Sequence, residues 1–210
     1  MASRLKPSFD EEELLAAQGY RLIAGVDEAG RGALAGPVAA AAVILPLHLS
    51  AAWLATVRDS KQLAPAVRDY LYDCIYGDAL AVAVGMASHE EIDATGIAGA
   101  TRQAMKRAIA RLLPAPQHLL VDYLRLPGVL LPQKGIVHGD GLSYSIACAS
   151  IVAKVTRDRL MVEMDGDYPG YGLAQHKGYG TSEHLACLDR LGPCEVHRRC
   201  FQPLRGRLFP

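Results

Sequence analysis

The sequence predicts an α/β protein: a mixed central β-sheet flanked by helices, with a small helical portion at the C-terminal end. Three observations lead there. Short apolar runs of strand length come early in the chain. Later ones alternate with longer segments of helical periodicity. From about Tyr168 onward the residues read as helical and irregular, with no further strand-like run. A length of 210 residues, 50% of them apolar, suits one such domain with a sizeable core. The expected division is a main domain over 1–167, its first 19 residues a helical extension, and a C-terminal portion over 168–210 that packs on it.

The elements follow in order. Ser8-Phe9-Asp10-Glu11 has the form of a capping box and opens a short helix that Gly19 ends. Residues 20–27 read as a strand and 38–45 as a second, buried and proline-bounded, with a hairpin turning through 30–36. Residues 65–78 space Val67, Leu71 and Ile75 helically, and Pro65 stands at a permitted first-turn position. Residues 80–87 read as a strand, and Ser88-His89-Glu90-Glu91 as another capping box. Residues 97–112 predict a helix with a basic side, and 118–122 a short strand ending in a carboxylate. Residues 136–138 predict one more short strand, 144–164 a long helix, and Thr181 caps a last helix ending near Gly192.

Lys plus Arg (22) balances Asp plus Glu (22), so net charge names no partner. Arg190, Arg198, Arg199, Arg205 and Arg207 concentrate positive charge late in the chain, a local footprint for a polyanion or a solvated tail. Five cysteines without a C-x-x-C pair argue for reduced thiols, and no signal peptide is visible, so a cytoplasmic protein is expected. Residues 33–57 carry only His48 as an ionisable group and imitate a membrane span, but Pro37 and Pro46 divide them into two buried elements, and no membrane partner is expected.

Function is most legible in Asp27-Glu28-Ala29-Gly30-Arg31-Gly32, an acid pair ending an apolar run just before a glycine turn. Asp122 also ends a strand-like run, and Asp140 lies between glycines after a third. Strand ends converge at the ligand-binding edge of an α/β sheet. Four carboxylates there repel one another unless a cation joins them. An all-oxygen set favours Mg²⁺ or Mn²⁺ over zinc. Acids at strand ends are also common turn residues.

These motifs carry a resemblance. Residues 27–32, followed by Leu34-Ala35-Gly36-Pro37-Val38, look like the signature of the type 2 ribonucleases H, the bacterial ribonuclease HII family. Asp59-Ser60-Lys61-Gln62-Leu63, Val121-Asp122, Gly139-Asp140, the stretch 149–158, Tyr171-Gly172, His176-Lys177-Gly178-Tyr179 and His197-Arg198-Arg199 follow in the family's order. The resemblance implies a ribonuclease H-like fold. It implies endonucleolytic cleavage of RNA in RNA–DNA hybrids and incision 5′ to single ribonucleotides in duplex DNA, with a role in ribonucleotide removal. The products would carry a 3′-hydroxyl and a 5′-phosphate.

Mapped onto this chain, the acidic tetrad is Asp27, Glu28, Asp122 and Asp140. Two divalent ions about 4 Å apart would clamp a phosphate there, with Asp27 between them. Gly30, Arg31, Gly32 and Tyr179 resemble a reader of the 2′-hydroxyl. Ser60, Lys61, Ser150, Lys154, His197 and Arg198 are expected to contact substrate, although Lys154 could instead pair with Asp158 one turn on. Tyr123-Leu124 stands where many relatives have Gly-Asn. A monomer without a clamp-binding tail is expected. An exonuclease or resolvase would lack the Gly-Arg-Gly turn paired with His-Lys-Gly-Tyr, and a non-catalytic binding module would have lost an acid.

Overall fold

A computed structural model describes residues 6–206. Among the described residues five strands form one sheet: β1 (Ile23–Ala29), β2 (Val38–Ile44), β3 (Ala81–Ala87), β4 (His118–Asp122) and β5 (Gln133–Ile136), in the order β3-β2-β1-β4-β5. β2 is antiparallel to both of its neighbours, β1 and β3, whereas β4 and β5 run parallel to β1. The helices are α1 (Asp10–Ala17), α2 (Pro65–Asp78), α3 (His89–Ala110), α4 (Tyr144–Asp167), α5 (Leu173–His176) and α6 (Ser182–Leu191).

The period of two along β2 builds two cores. Ala40, Ala42 and Ile44 face α3, with Ala104, Met105 and Ala108. Ala41 and Val43 face α2 and α4, with Leu71, Ile75, Ile151 and Val152. Small residues bring the layers close. A Cβ at Gly25 would lie 2.0 Å from the Ser145 carbonyl carbon of α4, and one at Gly85 would lie 2.2 Å from the Ala104 oxygen of α3. A third cluster joins Leu34, Ala35 and Met161 to Tyr171, Leu173, Leu188 and Val196, fastening the C-terminal portion to the turn after β1.

Several boundaries move for physical reasons. β1 continues to Ala29 because Asp27 and Glu28 still pair with Ala41 and Ala40. The capping box at Ser8 does not form. Ser8 is held extended by a bridge to Ser143, and its hydroxyl accepts from Asp10 N–H at 3.3 Å. Instead Glu12, buried, accepts from the Ser143 hydroxyl (2.7 Å) and Ser145 N–H (2.9 Å) at the start of α4, where a helix N-terminus favours negative charge. The Ser88 box forms in full, and helix begins there rather than at Ile97, broken only at Gly96 (φ 74°, ψ 160°). β5 lies earlier than 136–138, because His138 turns left-handed (φ 56°, ψ 40°). Residues 33–57 hold strand β2 and a short 3-10 helix, Ala52–Thr56. No helix among the described residues is long and apolar enough to cross a membrane. Arg207 lies outside the described residues.

Candidate active site

Parallel β1, β4 and β5 end at one edge of the sheet, and the acids gather there. Val26 pairs with Val121, so Asp27 and Asp122 are the next neighbours along the two strands. Gly139 follows β5 closely and donates its N–H to Asp122 Oδ1 at 2.7 Å. That bond sets the turn carrying Asp140 beside Asp122.

Asp27 is buried, accepting from Glu28 N–H at 2.7 Å and from the Ser150 hydroxyl. Ser150 in turn meets the Ser60 hydroxyl at 2.9 Å. Burial pushes the Asp27 carboxyl well above the ordinary carboxylate range, and the charges of Glu28 and Asp122 push it further. Burial also raises Glu28, opposed by Arg31 at 3.1 Å. Asp122 is raised by burial against the Gly139 N–H and Lys61. Asp140 is raised by burial and by the charges of Asp122 and Asp59. The tetrad therefore acts as one repelling set.

This donor set fits hard divalent cations. Every acid is held above its ordinary range by burial, all offer oxygen, and Glu28 Oε2 is buried without a hydrogen-bond partner. Among the described residues, no three His, Cys, Asp or Glu side chains already close on a common point. Repelling carboxylates surround the edge, and a cation would supply the attraction that draws them in.

A cleft of about 510 Å³ opens beside the acids, lined by Glu28, Gly30–Gly32, Ser60, Lys61, Ser150, Lys154 and Tyr179. Most of the expected site residues meet in it. Lys61 is exposed and lowers Glu28, Asp122 and Asp140 by its charge. Lys154 bonds Asp158 at 2.6 Å, and its ammonium lies 5.6 Å from the centre of the Tyr179 ring. Asp158 also meets Arg68 at 3.7 Å, so it serves a cation cluster apart from the tetrad. Ser60 and Ser150 line the cleft yet are 3% and 5% exposed, and their hydroxyls serve each other and Asp27.

Two expected phosphate contacts are corrected. Arg198 is wholly buried and donates to the carbonyls of Gly36 (2.9 Å), Arg31 (3.0 Å) and Pro37 (3.1 Å). His197 is also wholly buried, between His184 and Cys194. A side chain so enclosed cannot reach a backbone phosphate; Arg199 alone of that motif is exposed.

Arg157 belongs to the 149–158 stretch and to the expected long helix, but the sequence assigns it no role. It is wholly buried and donates to the carbonyls of Pro37 (2.8 Å), Lys177 (2.9 Å) and Ala35 (3.0 Å). Gly30, at φ +90°, leaves room for it: a Cβ there would lie 2.0 Å from Arg157 Nε. Arg157 and Arg198 thus bracket the glycine turn from below. No spacing in the sequence signals this role.

Burial and the neighbouring histidines push the His197 imidazole down to about 4. The unfolded chain, near 6.5, therefore takes up the proton first as pH falls. The stability His197 contributes is whole above about pH 6.5 and is lost towards pH 4, at up to ~1.4 kcal/mol per pH unit. His184, His176, His89, Cys194 and Tyr171 surround it, and His184 shifts with the same sign. The raised acids shift with the opposite sign, so the informative quantity is the difference from a His197→Gln variant. Urea unfolding at about pH 7, 5.5 and 4.5 should show a steeper acid loss in the parent; equal slopes would refute this assignment.

A mixed five-stranded sheet between helices, with acids on the shared carboxyl edge of β1 and β4, has the ribonuclease H-like fold. The fold is that of ribonuclease H2 from Pyrococcus horikoshii OT3 (TM-score 0.70, 24% identity, 87% of this chain and 95% of that one). It is also that of a Bst ribonuclease HIII solved with Mn²⁺ (TM-score 0.65, 19% identity, 91% and 70%). The chain belongs to the ribonuclease HII family, whose model matches residues 24–204. Ribonuclease HII of Dehalococcoides mccartyi (strain ATCC BAA-2100 / JCM 16839 / KCTC 5957 / BAV1) is 58% identical over 99% of this chain and 98% of the relative. The protein is thus a ribonuclease H, a divalent-metal-dependent endonuclease acting on nucleic acid.

Proposed function

We propose that this chain cuts the RNA strand of RNA–DNA hybrids and incises duplex DNA 5′ to single ribonucleotides, with Asp27, Glu28, Asp122 and Asp140 holding two Mg²⁺ or Mn²⁺ ions. The observation that carries this reading is the adjacency of Asp27 and Asp122 on parallel strand ends, each raised by burial, beside a cleft that also holds the glycine turn and Tyr179. The family relationship and the Mn²⁺ complex of the ribonuclease HIII neighbour support it. When bound, such ions supply Lewis-acid activation of the phosphate and of the attacking water.

The chain's own groups do the rest. Ser150 and the Glu28 N–H orient the Asp27 carboxylate. Gly139 orients that of Asp122. Lys61 offers positive charge at the mouth of the acidic edge, where a scissile strand would lie. The exposed Gly32 turn leaves backbone groups open to a sugar, and a Cβ there would meet nothing within 4 Å. Tyr179 lies across the cleft from that turn, backed by Lys154 and by the Arg157 guanidinium 5.5 Å from its ring centre. Its ring offers a face to a sugar and its hydroxyl a hydrogen bond to the 2′ position.

A duplex carrying one ribonucleotide, incubated with Mg²⁺ or Mn²⁺, tests the reading. Incision 5′ to that residue with 3′-hydroxyl and 5′-phosphate ends is expected. Trimming from ends, or binding without cleavage, would overturn it. Tyr179→Phe should lower kcat/KM on this substrate about tenfold, the worth of one hydrogen bond at ~1.4 kcal/mol. Unchanged selectivity between this duplex and an RNA–DNA hybrid would remove the hydroxyl from the sensor.

A further inference from the structure

Beneath Tyr179 lie three histidines. His184 and His197 are wholly buried and meet Nε2 to Nε2 at 3.0 Å. His184 Nδ1 lies 3.0 Å from the Tyr179 carbonyl oxygen. His176 stacks on His184 with ring centres 4.2 Å apart and planes 15° apart. Its Nε2 meets the Tyr171 carbonyl at 2.8 Å, and its Nδ1 faces the Gly178 N–H at 3.1 Å. Its own carbonyl accepts from Tyr179 N–H at 3.0 Å. The peptide groups around Tyr179 are therefore held by histidines, and Thr181 N–H shares the Tyr179 carbonyl with His184 at 2.8 Å.

The partners fix where the protons sit. A carbonyl oxygen only accepts, so His184 Nδ1 carries a proton and donates to Tyr179. A neutral His184 then has an accepting Nε2, which requires a donating Nε2–H on His197. His197 Nδ1 then accepts, and both the Cys194 N–H and the Cys194 thiol, each at 3.1 Å, can donate to it. The Cys194 carbonyl lies farther from Nδ1, at 3.3 Å, and already takes the His197 N–H. One direction of donation runs through the whole chain: Cys194 N–H to His197, His197 to His184, His184 to Tyr179. With opposite tautomers, the His184 Nδ1 lone pair would face the lone pairs of the Tyr179 carbonyl in a buried space.

We propose that His184, held in its tautomer by His197, is a positioning residue that fixes Tyr179 in the cleft and so sets selectivity for the ribonucleotide junction. The selectivity part rests on the role given to Tyr179 above; the proton arrangement stands on geometry alone. Neither histidine lines the cleft, so their effect reaches it through the loop of Tyr179, directly at the Tyr179 carbonyl and through the stacked His176 ring.

Two measurements test it. Long-range ¹H–¹⁵N spectra of the intact protein near neutral pH should show His184 protonated at Nδ1 and His197 at Nε2; the reverse pattern would overturn the relay. In kinetics with Mn²⁺ and a duplex carrying one ribonucleotide, His184→Leu should lower kcat/KM about tenfold. His184→Asn, whose amide nitrogen stands near the place of Nδ1, should restore most of it. Adding His184→Leu to Tyr179→Ala should cost nothing more, because both act on one group. Full additivity, or no rescue by asparagine in a protein that melts like the parent, would refute positioning. If Tyr179→Ala is itself silent, the sensor reading fails instead. The relay is then judged by the tautomers and by whether the Tyr179 ring resonances shift in His184→Leu.

Discussion

Asp122→Asn should lower the cleavage rate at least about 10³-fold while making the metal-free protein more stable. The first part follows from losing one of the four acids proposed to hold the ions, since such ions contribute several kcal/mol to the transition state. The second follows from the sign of the shift. A carboxyl raised in the folded state favours folding at low pH, and that contribution disappears as pH rises through its folded value. At neutral pH Asp122 is thus a half-buried charge near Asp27 and Asp140, and the neutral amide removes both repulsions. The amide oxygen can still accept the Gly139 N–H. Substrate binding should change little. Thermal melting without metal, alongside cleavage with Mg²⁺ or Mn²⁺, checks both parts. Parental turnover would remove Asp122 from the proposed tetrad, and a lower melting temperature would show that its charge is not strained.

Arg157→Ala should lower unfolding free energy by about 3–5 kcal/mol, a large share of what a domain of this size holds. The substitution leaves the carbonyls of Ala35, Pro37 and Lys177 without their donor and opens a void beneath Gly30. Arg157→Lys should rescue little, because one ammonium cannot span three carbonyls that a planar guanidinium reaches together. Because Arg157 ties the glycine turn to the loop of Lys177 and Tyr179, cleavage of the single-ribonucleotide duplex should fall with it. Urea denaturation decides: a midpoint within error of the parent would show that the guanidinium is not the brace described.

What the sequence made legible divides along physical lines. Strands β2 and β3, helix α2 and the Ser88 and Thr181 caps were readable because local periodicity and local hydrogen bonds decide them. The acids of β1 and β4 were readable as a group because parallel strands bring like ends together. The Ser8 box failed because a distant partner, Ser143, claimed that backbone. Arg198 and His197 looked like phosphate ligands because charge in a late basic stretch says nothing about burial. Their partners, the carbonyls of Arg31, Gly36 and Pro37 and the ring of His184, are supplied by tertiary packing. Tyr123 is a different case. It takes φ +56°, a conformation that glycine adopts freely and a tyrosine holds only at the cost of about 1–2 kcal/mol. Only the resemblance to glycine-bearing relatives hinted at that strain.

The absent side chain at Gly25 acts as a gauge for the chemistry two residues away. With α4 lying directly on the β1 backbone there, about five residues of helix advance roughly 7.5 Å while two residues of strand advance roughly 6.6 Å. The two ladders stay in step, and a hydroxyl as short as that of Ser150 arrives at Asp27. Any added carbon at position 25 would wedge helix from strand and detune the nucleolytic corner without altering one acidic group.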